Sequence, residues 1–182
     1  MERLVSAMAE MNDSFNEVTA EMLKVISDYD SVTGFQGAYN IRQDSMCAGR
    51  KNSENITIES KTDKPGINIR IKPGTKGETV YIPACVTHSN VDDLVYNDFF
   101  IGEGADVTIV AGCGVHSDGS ETARHNGIHR FFLEKGAKVL YKEKHIGTGK
   151  GTGLRSIDPV TDAYLKEDSY LEMDTVQLRG VD

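Results

Sequence analysis

The chain has 182 residues, of which 38% are hydrophobic and 26% charged, a composition typical of a soluble globular domain. Its formal net charge of −8 repels phosphate backbones, so we expect no nucleic-acid partner. No run approaches the roughly 18 apolar residues that a membrane span requires, and the N-terminus lacks the apolar core of a secretory signal. The sequence therefore predicts a cytoplasmic protein without membrane segments.

Residues 1–33 carry the pattern of a helix. Apolar residues recur every three or four positions and so share one helical face. They are Leu4, Met8, Met11, Phe15, Val18, Met22, Ile26 and Tyr29. Ser14 and Glu17 fit a capping box, so the segment forms one long helix or two short ones. We predict that it packs against the rest of the fold, and a partner-binding helix is the alternative.

Residues 34–182 change character and predict a mainly β domain. Short alternating runs rich in β-branched residues are separated by glycine, asparagine or aspartate. They include NITIES, INIRIKPG, TVYIPACV, DVTIVAGCGV, HRFFLEKG and KVLYKEKHIG. No helical pattern separates consecutive strands, which excludes an alternating βαβ fold.

A repeat of 32 residues organises these strands. The segments GEGADVTIV, EKGAKVLYK and KEDSYLEMD align so that Ala105, Ala137 and Ser169 occupy matching positions. A fixed period of this length indicates a solenoid, in which each coil covers its neighbour's open face, and a parallel β-helix fits best. An antiparallel sandwich is the alternative, because short strands at regular spacing also build that fold.

The sequence ends on VQLRGVD, which predicts a strand, and no polar or helical cap follows it. A solenoid without a cap leaves strand edges and apolar rungs open. We therefore expect the β-helix core over 34–182 to be incomplete at its C-terminal end. It is either part of a longer protein or covered there by a partner.

The segment CGVHSDGSETARHNGIH, residues 113–129, holds one cysteine and three histidines and is the main candidate metal site. Thiolate and imidazole suit zinc, iron or iron–sulfur species. On extended strands Cys113 and His116 face opposite sides, whereas His125 and His129 share one side. Our hypothesis is that Cys113 with His125 or His129 binds iron, zinc or a nascent cluster. His116 is also counted as a candidate metal ligand.

Glycines at 112 and 114 flank Cys113, and we expect them to expose the thiol or to let a cluster approach it. Cys85 and His88, in IPACVTH, form a second-choice metal site. The alternative interpretation of these residues is structural. A free cysteine is commonly buried without function, and histidines at loop tips are commonly solvated.

Other motifs argue against common enzymatic sites. HNGIH lacks the glutamate that follows the first histidine in zinc proteases, and GTGKGTG lacks the spacing of a P-loop. Asp92, Asp93 and Asp98 carry carboxylates of the kind that bind hard cations. Such groups more often cap turns or face water, and we adopt that interpretation.

The stretch from Val95 to Gly151 resembles the SufB/SufD family, the scaffold of the SUF iron–sulfur cluster assembly system. It reads VYNDFFIGEGADVTIVAGCGVHSDGSETARHNGIHRFFLEKGAKVLYKEKHIGTGKG. The segments YIPACVTHSNVDDLVYNDF and DPVTDAYLKEDSYLEMDTVQLRGVD are similar too. The resemblance covers roughly residues 35–182 and is to the N-terminal portion of short, SufD-like members.

This resemblance implies a right-handed parallel β-helix, pairing with a related scaffold subunit or with itself, and docking to an ABC-type ATPase. It also implies iron or an iron–sulfur cluster as a transient ligand, with ATP hydrolysis in the partner. The family's ATPase-docking segment, and its cluster-assembly cysteine, histidine and glutamate, find no counterpart in this sequence. The resemblance therefore assigns no role to Cys113 or to any other residue.

Three functions follow from these observations. The first is a scaffold for iron–sulfur cluster assembly that is not itself an enzyme. The second is a metal-dependent enzyme that uses the cysteine and histidine set. The third is a metal-free β-solenoid interaction module. The repeat and the missing catalytic base favour the first and the third.

Overall fold

A computed structural model describes residues 14–182 of the chain. Its strands form a parallel β-solenoid of about four turns, with an α-helix near the N-terminus. The mainly β, parallel β-helix fold predicted from the 32-residue repeat is therefore confirmed. The first part of the predicted helical segment, residues 1–13, lies outside the described residues. The division of the chain at residues 33 and 34 stays a prediction.

The elements follow one another in chain order. They are α1 (Glu17–Ile26), β1 (Ala38–Gln43), β2 (Met46–Lys51), β3 (Ile56–Ser60), β4 (Gly66–Ile71), β5 (Lys76–Tyr81), β6 (Ala84–Val86), β7 (Val91–Ile101), β8 (Asp106–His116), β9 (Ala123–Leu133), β10 (Lys138–Thr148), β11 (Arg155–Ile157), β12 (Val160–Leu165) and β13 (Tyr170–Arg179). One sheet has the order β13-β10-β8-β5-β1-β2, with β6 beside β1 and β8. The other has the order β11-β9-β7-β4-β3, with β12 beside β9.

The 32-residue repeat is the length of one coil. Asp106 of β8 pairs with Lys138 of β10, which pairs with Tyr170 of β13. The same interval pairs Val91 of β7 with Ala123 of β9 in the second sheet. Side chains at equal positions in successive coils therefore stack, and the inward-facing ones share one interior.

Aromatic side chains fill one part of that interior. Phe99 and Phe131 occupy adjacent coils, and their rings stack with centroids 4.4 Å apart. Tyr141 of the other sheet meets Phe131 edge-on at 5.3 Å. All three side chains are fully buried, so this aromatic cluster joins the two sheets beside the polar part of the interior.

The N-cap of helix α1 is a different residue from the one that the sequence pattern indicates. Asn16 is the N-cap, because its side chain accepts a hydrogen bond from the Thr19 backbone N–H at 2.9 Å. Ser14, the residue expected to cap the helix, instead donates its backbone N–H to the carbonyl of Ala48 at 2.7 Å.

The helix packs on the outer face of β8, at the two glycines that flank Cys113. A methyl group at position 112 would lie 2.4 Å from Ile26 Cβ, and one at position 114 would lie 2.5 Å from Met22 Sδ. These glycines therefore let the helix approach the strand. The expectation that they expose the Cys113 thiol is wrong, since the helix covers this face and the thiol faces the other way.

The last described coil has open surfaces. Strand β13 forms the edge of its sheet. Large apolar side chains of β12 and β13 are exposed, namely Val160, Tyr164, Leu165, Tyr170, Met173, Val176 and Leu178. Within residues 14–182, no helix has the length and apolar character that crossing a membrane requires.

Candidate functional site

Cys113 faces the interior of the solenoid from strand β8. Side chains alternate between the two faces of a strand, and Cys113 lies in the inward row that runs from Val107 to Val115. It is 5% exposed. Burial, and then the nearby carboxylate of Glu143, raise the pKa of the Cys113 thiol well above its ordinary value. The thiol is therefore neutral in the folded chain, and forming the thiolate requires a bound cation.

Two inward-facing groups of β10 lie beside this thiol. Cys113 Sγ donates to Glu143 Oε1 over 3.8 Å. His145 pairs directly with Cys113 in the parallel register, and Glu143 precedes it by two residues on the same face. One ligand atom from each of Cys113, Glu143 and His145 lies within 4.8 Å of the others. Thiolate, carboxylate and imidazole together suit zinc or ferrous iron.

The Glu143 carboxylate stays charged although it is buried. Burial acts to raise the pKa of Glu143, but His145 and the Tyr141 hydroxyl, which donates over 3.2 Å, hold the pKa below its ordinary value. Burial lowers the pKa of His145, and the contacts with Glu143 and Gln177 outweigh it, so the net shift is upward. At pH values below the raised pKa of His145, the two groups form a carboxylate–imidazolium pair.

One nitrogen of His145 is well placed for a metal ion. His145 Nδ1 lies 2.9 Å from Gln177 Oε1, an acceptor only, so Nδ1 carries a proton. His145 Nε2 lies 3.3 Å from Glu143 Oε2 but is not aligned as a hydrogen bond. Loss of the Nε2 proton would present a lone pair on the same side as the carboxylate.

His125 and His129 face the same interior from β9 in the opposite sheet. They are four residues apart on an extended strand, so their side chains share a face, and they are 2% and 4% exposed. His125 Nδ1 lies 2.9 Å from Asp93 Oδ2. Asp93 in turn accepts from the Arg42 guanidinium at 2.6 and 2.9 Å. This chain of contacts fixes the His125 ring.

His129 has no comparable support. Its Nδ1 is buried without a hydrogen-bond partner. Burial lowers the pKa of His129 to about 4, so the imidazole is neutral at neutral pH. Its ring lies 5.8 Å from Phe99 and 5.9 Å from Tyr141, between centroids. The aromatic contacts hold the ring in place while the nitrogen stays available.

A cavity of about 20 Å³ lies between the two sheets at Cys113, and His145 lies beside Glu143 but outside the cavity lining. Cys113 and Glu143 line it from one sheet, and His125, His129 and Asn97 line it from the other. That volume holds about one water molecule or one ion. It is far below the several hundred Å³ of a typical organic ligand pocket. The chamber is therefore suited to a single ion, and a cluster of several irons requires it to open.

Two carboxylates contradict the expectation that they cap turns or face water. Asp93 is 1% exposed and is held by the arginine and histidine described above. Asp98 is also buried, and its ion pairs with Lys61 and Arg130 lower its pKa against the effect of burial. Asp92 is exposed, as expected. The partners come from distant parts of the sequence, which local patterns do not reveal.

The remaining candidate ligands lie elsewhere. His116 is on the outer face of β8, where its Nδ1 lies 2.8 Å from Thr148 Oγ1. Cys85 is buried in the cluster beneath helix α1, and burial raises the pKa of its thiol far above the ordinary value. His88 is exposed and lies 3.7 Å from Asp44 Oδ1. The structure therefore brings Cys113, His125 and His129 to one chamber but not His116, Cys85 or His88.

Glu143 and His145 were not among the ligands predicted from the sequence. The 32-residue repeat contained the signal for both, because it places position 145 one coil beyond position 113 in the same register. Alternation then puts position 143 on the same inward face.

These observations define the class of protein. The chain is a parallel β-solenoid whose interior holds a thiol, a carboxylate and imidazoles around a candidate metal-binding chamber. The chain is similar to iron–sulfur cluster assembly SufBD family proteins. It is 32% identical over 89 residues to one from Methanothermobacter thermautotrophicus strain Winter, covering 48% of this chain and 21% of the relative. It is 33% identical over 98 residues to one from Archaeoglobus fulgidus, covering 53% and 26%.

A third relative, from Methanothermobacter thermautotrophicus strain Delta H, is 30% identical over 89 residues and carries the same SufBD family name. The resemblance to the SufB/SufD family is therefore confirmed. The chain spans only about a quarter of the length of these relatives or less. No protein-family profile and no solved structure matches the chain.

Proposed function

We propose that this chain is the β-solenoid part of a scaffold for iron–sulfur cluster assembly. The observation that carries the proposal is the donor set inside the solenoid, in which Cys113, Glu143 and His145 each offer a ligand atom within 4.8 Å of the others. The similarity to three SufBD family proteins supports iron as the metal. Iron is here the cargo that the scaffold receives and passes on.

The chemistry of the donor set fits ferrous iron. Cys113 supplies a soft thiolate once its proton has left, and Glu143 supplies an anionic oxygen. Together their two negative charges offset the charge of a divalent ion, which a buried site requires. His145 supplies a borderline nitrogen. Binding displaces the Cys113 thiol proton, and also the Nε2 proton of His145 where that imidazole is charged, so the site releases protons as it loads.

The small cavity limits what this arrangement holds. A single ion fits the 20 Å³ chamber, whereas cluster growth needs the two sheets to separate locally. In this proposal, an ABC-type ATPase partner of the SUF system provides that conformational work. A related scaffold subunit, or a second copy of this chain, completes the assembly. The chain itself is not an enzyme, and ATP is hydrolysed in the partner.

The same cavity argues against the metal-dependent enzyme. An enzyme acting on a small organic substrate needs room for it beside the metal, and the chamber at Cys113 is more than tenfold too small. The metal-free interaction module is the remaining alternative. The absence of metal uptake by the wild type and by every variant would support it.

Anaerobic reconstitution tests the scaffold proposal. The purified chain is incubated with ferrous iron and sulfide, and the visible spectrum is compared for the wild type, Cys113→Ser and Cys47→Ser. Cys47 is exposed and serves as the matched thiol control. We expect sulfur-to-iron charge-transfer absorption in the wild type and in Cys47→Ser but not in Cys113→Ser. Equal absorption in all three contradicts the proposal.

The ATPase partner is tested separately. An ABC-type ATPase subunit without membrane domains, encoded in the same genome, is mixed with the chain. Light scattering then gives the mass of any complex, and the rate of ATP hydrolysis is measured with and without the chain. We expect a complex and a changed rate. Two unassociated proteins with an unchanged rate contradict this part of the proposal.

A further inference from the structure

The wall opposite Cys113 carries two buried polar atoms without a hydrogen-bond partner among the described residues. They are His129 Nδ1 and Asn97 Oδ1. The side chains are neighbours in the parallel register of β9 and β7, and the two residues are 4% and 7% exposed. Both line the chamber. Buried polar groups are nearly always satisfied, so unpaired atoms that face one cavity indicate a bound partner.

His129 is the histidine of this wall that has a free Nδ1. The corresponding nitrogen of His125 is already engaged by Asp93. His129 lines the same cavity as Cys113 and Glu143, from the opposite sheet, so its ring lies across a one-ion space from two of the three donors. Phe99 and Tyr141 flank the ring, and Nδ1 has no hydrogen-bond partner among the described residues.

We propose that His129 Nδ1 is the fourth ligand of a metal ion held by Cys113, Glu143 and His145. This inference rests on the proposed function and adds a ligand from the opposite sheet. One sulfur, one oxygen and two nitrogens form a tetrahedral donor set for zinc or ferrous iron. His129 lies outside the group of atoms within 4.8 Å, so binding draws it across the cavity and ties the two sheets together.

Cobalt(II) titration without oxygen tests this ligand, because the visible spectrum of cobalt reports coordination number and thiolate ligation together. The variants are Cys113→Ser, His129→Phe and His116→Phe. Phenylalanine keeps a ring between Phe99 and Tyr141 but removes the nitrogen. His116 lies three residues beyond Cys113 on the outer face of β8, so its variant is the matched control.

We expect the wild type and His116→Phe to bind one cobalt with intense four-coordinate bands and thiolate charge transfer. His129→Phe keeps the charge transfer, loses band intensity and binds at least about tenfold more weakly, a loss known even for residues that only support a ligand. Wild-type affinity and spectrum in His129→Phe overturn the inference. If Cys113→Ser also matches the wild type, or the wild type binds no cobalt, the proposed function itself fails.

X-ray absorption of the zinc-loaded wild type is a second test. It needs no variant, so its result does not depend on whether the variants fold. Multiple scattering counts imidazole ligands, and we expect one sulfur and two imidazoles. One sulfur with one imidazole assigns the site to β8 and β10 alone and overturns the role of His129, while the proposed function stands.

Discussion

Cys113 on β8 pairs in register with His145 on β10, one coil of 32 residues further along the chain. Because the coils stack in parallel, the thiol, the imidazole and the carboxylate two residues before it share one face of one sheet. The candidate site is thus a direct product of the repeat, with no turn or loop needed to assemble it.

Replacing Asp93 by asparagine is expected to destabilise the fold strongly. The variant leaves the partly buried Arg42 guanidinium without its carboxylate, and removing one partner of such a pair costs about 3–5 kcal/mol. The neighbouring exposed Asp92→Asn is the control and is expected to change the free energy of unfolding by less than about 0.5 kcal/mol. Urea unfolding at pH 7 measures both. Equal effects contradict the buried ion pair.

The loss of stability in Asp93→Asn is expected to depend on pH. The pKa of Asp93 is lowered in the folded chain, because hydrogen bonds from His125 and Arg42 outweigh the effect of burial. Its contribution to stability is therefore present above the ordinary pKa of 3.8 and is lost as pH falls through the folded value. The stability difference between wild type and Asp93→Asn should be constant from pH 7 to 5 and shrink below pH 3.8. A stability difference that grows as pH falls would contradict this prediction.

The pair of Glu143 and His145 behaves differently, since its two pKa values shift in opposite directions. Stability from Glu143 is lost as pH falls below its ordinary value of 4.5, and stability from His145 is lost as pH rises above its ordinary value of 6.5. Glu143→Gln should therefore cost most between these values, by about 3 kcal/mol, and less at pH 9. Chemical unfolding at pH 5.5 and 9 checks this. A larger cost at pH 9 contradicts the pairing.

The glycines under helix α1 are expected to differ in their tolerance of alanine. At position 112 the added methyl group meets both the Cβ and the backbone carbonyl oxygen of Ile26 at 2.4 Å, so the helix must move. At position 114 it meets the flexible side chain of Met22. Gly112→Ala should cost about 1–3 kcal/mol and Gly114→Ala clearly less. Combining Gly114→Ala with Met22→Ala shows whether that side chain is the obstacle.

Thiol labelling checks the direction in which Cys113 faces. Cys47 is exposed, whereas Cys85 and Cys113 are buried and their thiols have raised pKa values. A disulfide reagent should modify one thiol rapidly in the folded chain and all three in denaturant. Rapid modification of two thiols in the wild type, with one lost in Cys113→Ser, would show that the chamber is open.

The repeat and the strand alternation made much of this structure predictable. The interval between Ala105 and Ala137 set the coil length, and the spacing of His125 and His129 set their common face. The same logic reaches His145 when the interval is applied to Cys113. Periodicity and alternation are local properties, so they can be read without knowing the tertiary contacts.

Other features depend on contacts that no local pattern contains. The burial of Asp93 depends on Arg42, which lies 51 residues earlier in the chain. The glycine at position 112 has its role only because Ile26 packs on the outside of the strand. Long-range pairings of this kind decide whether a charged or small residue is exposed, which explains why the expectations for Asp93 and for the glycines beside Cys113 were wrong.

The iron content of the reconstituted chain after gel filtration tests the central claim most directly. The measurement compares the wild type, Cys113→Ser and the exposed-thiol control Cys47→Ser at equal protein concentration. Iron retained by the wild type and by Cys47→Ser, but lost from Cys113→Ser, is the result that the interior donor set predicts. The same iron-to-protein ratio in all three would show that iron binds elsewhere and would contradict the account.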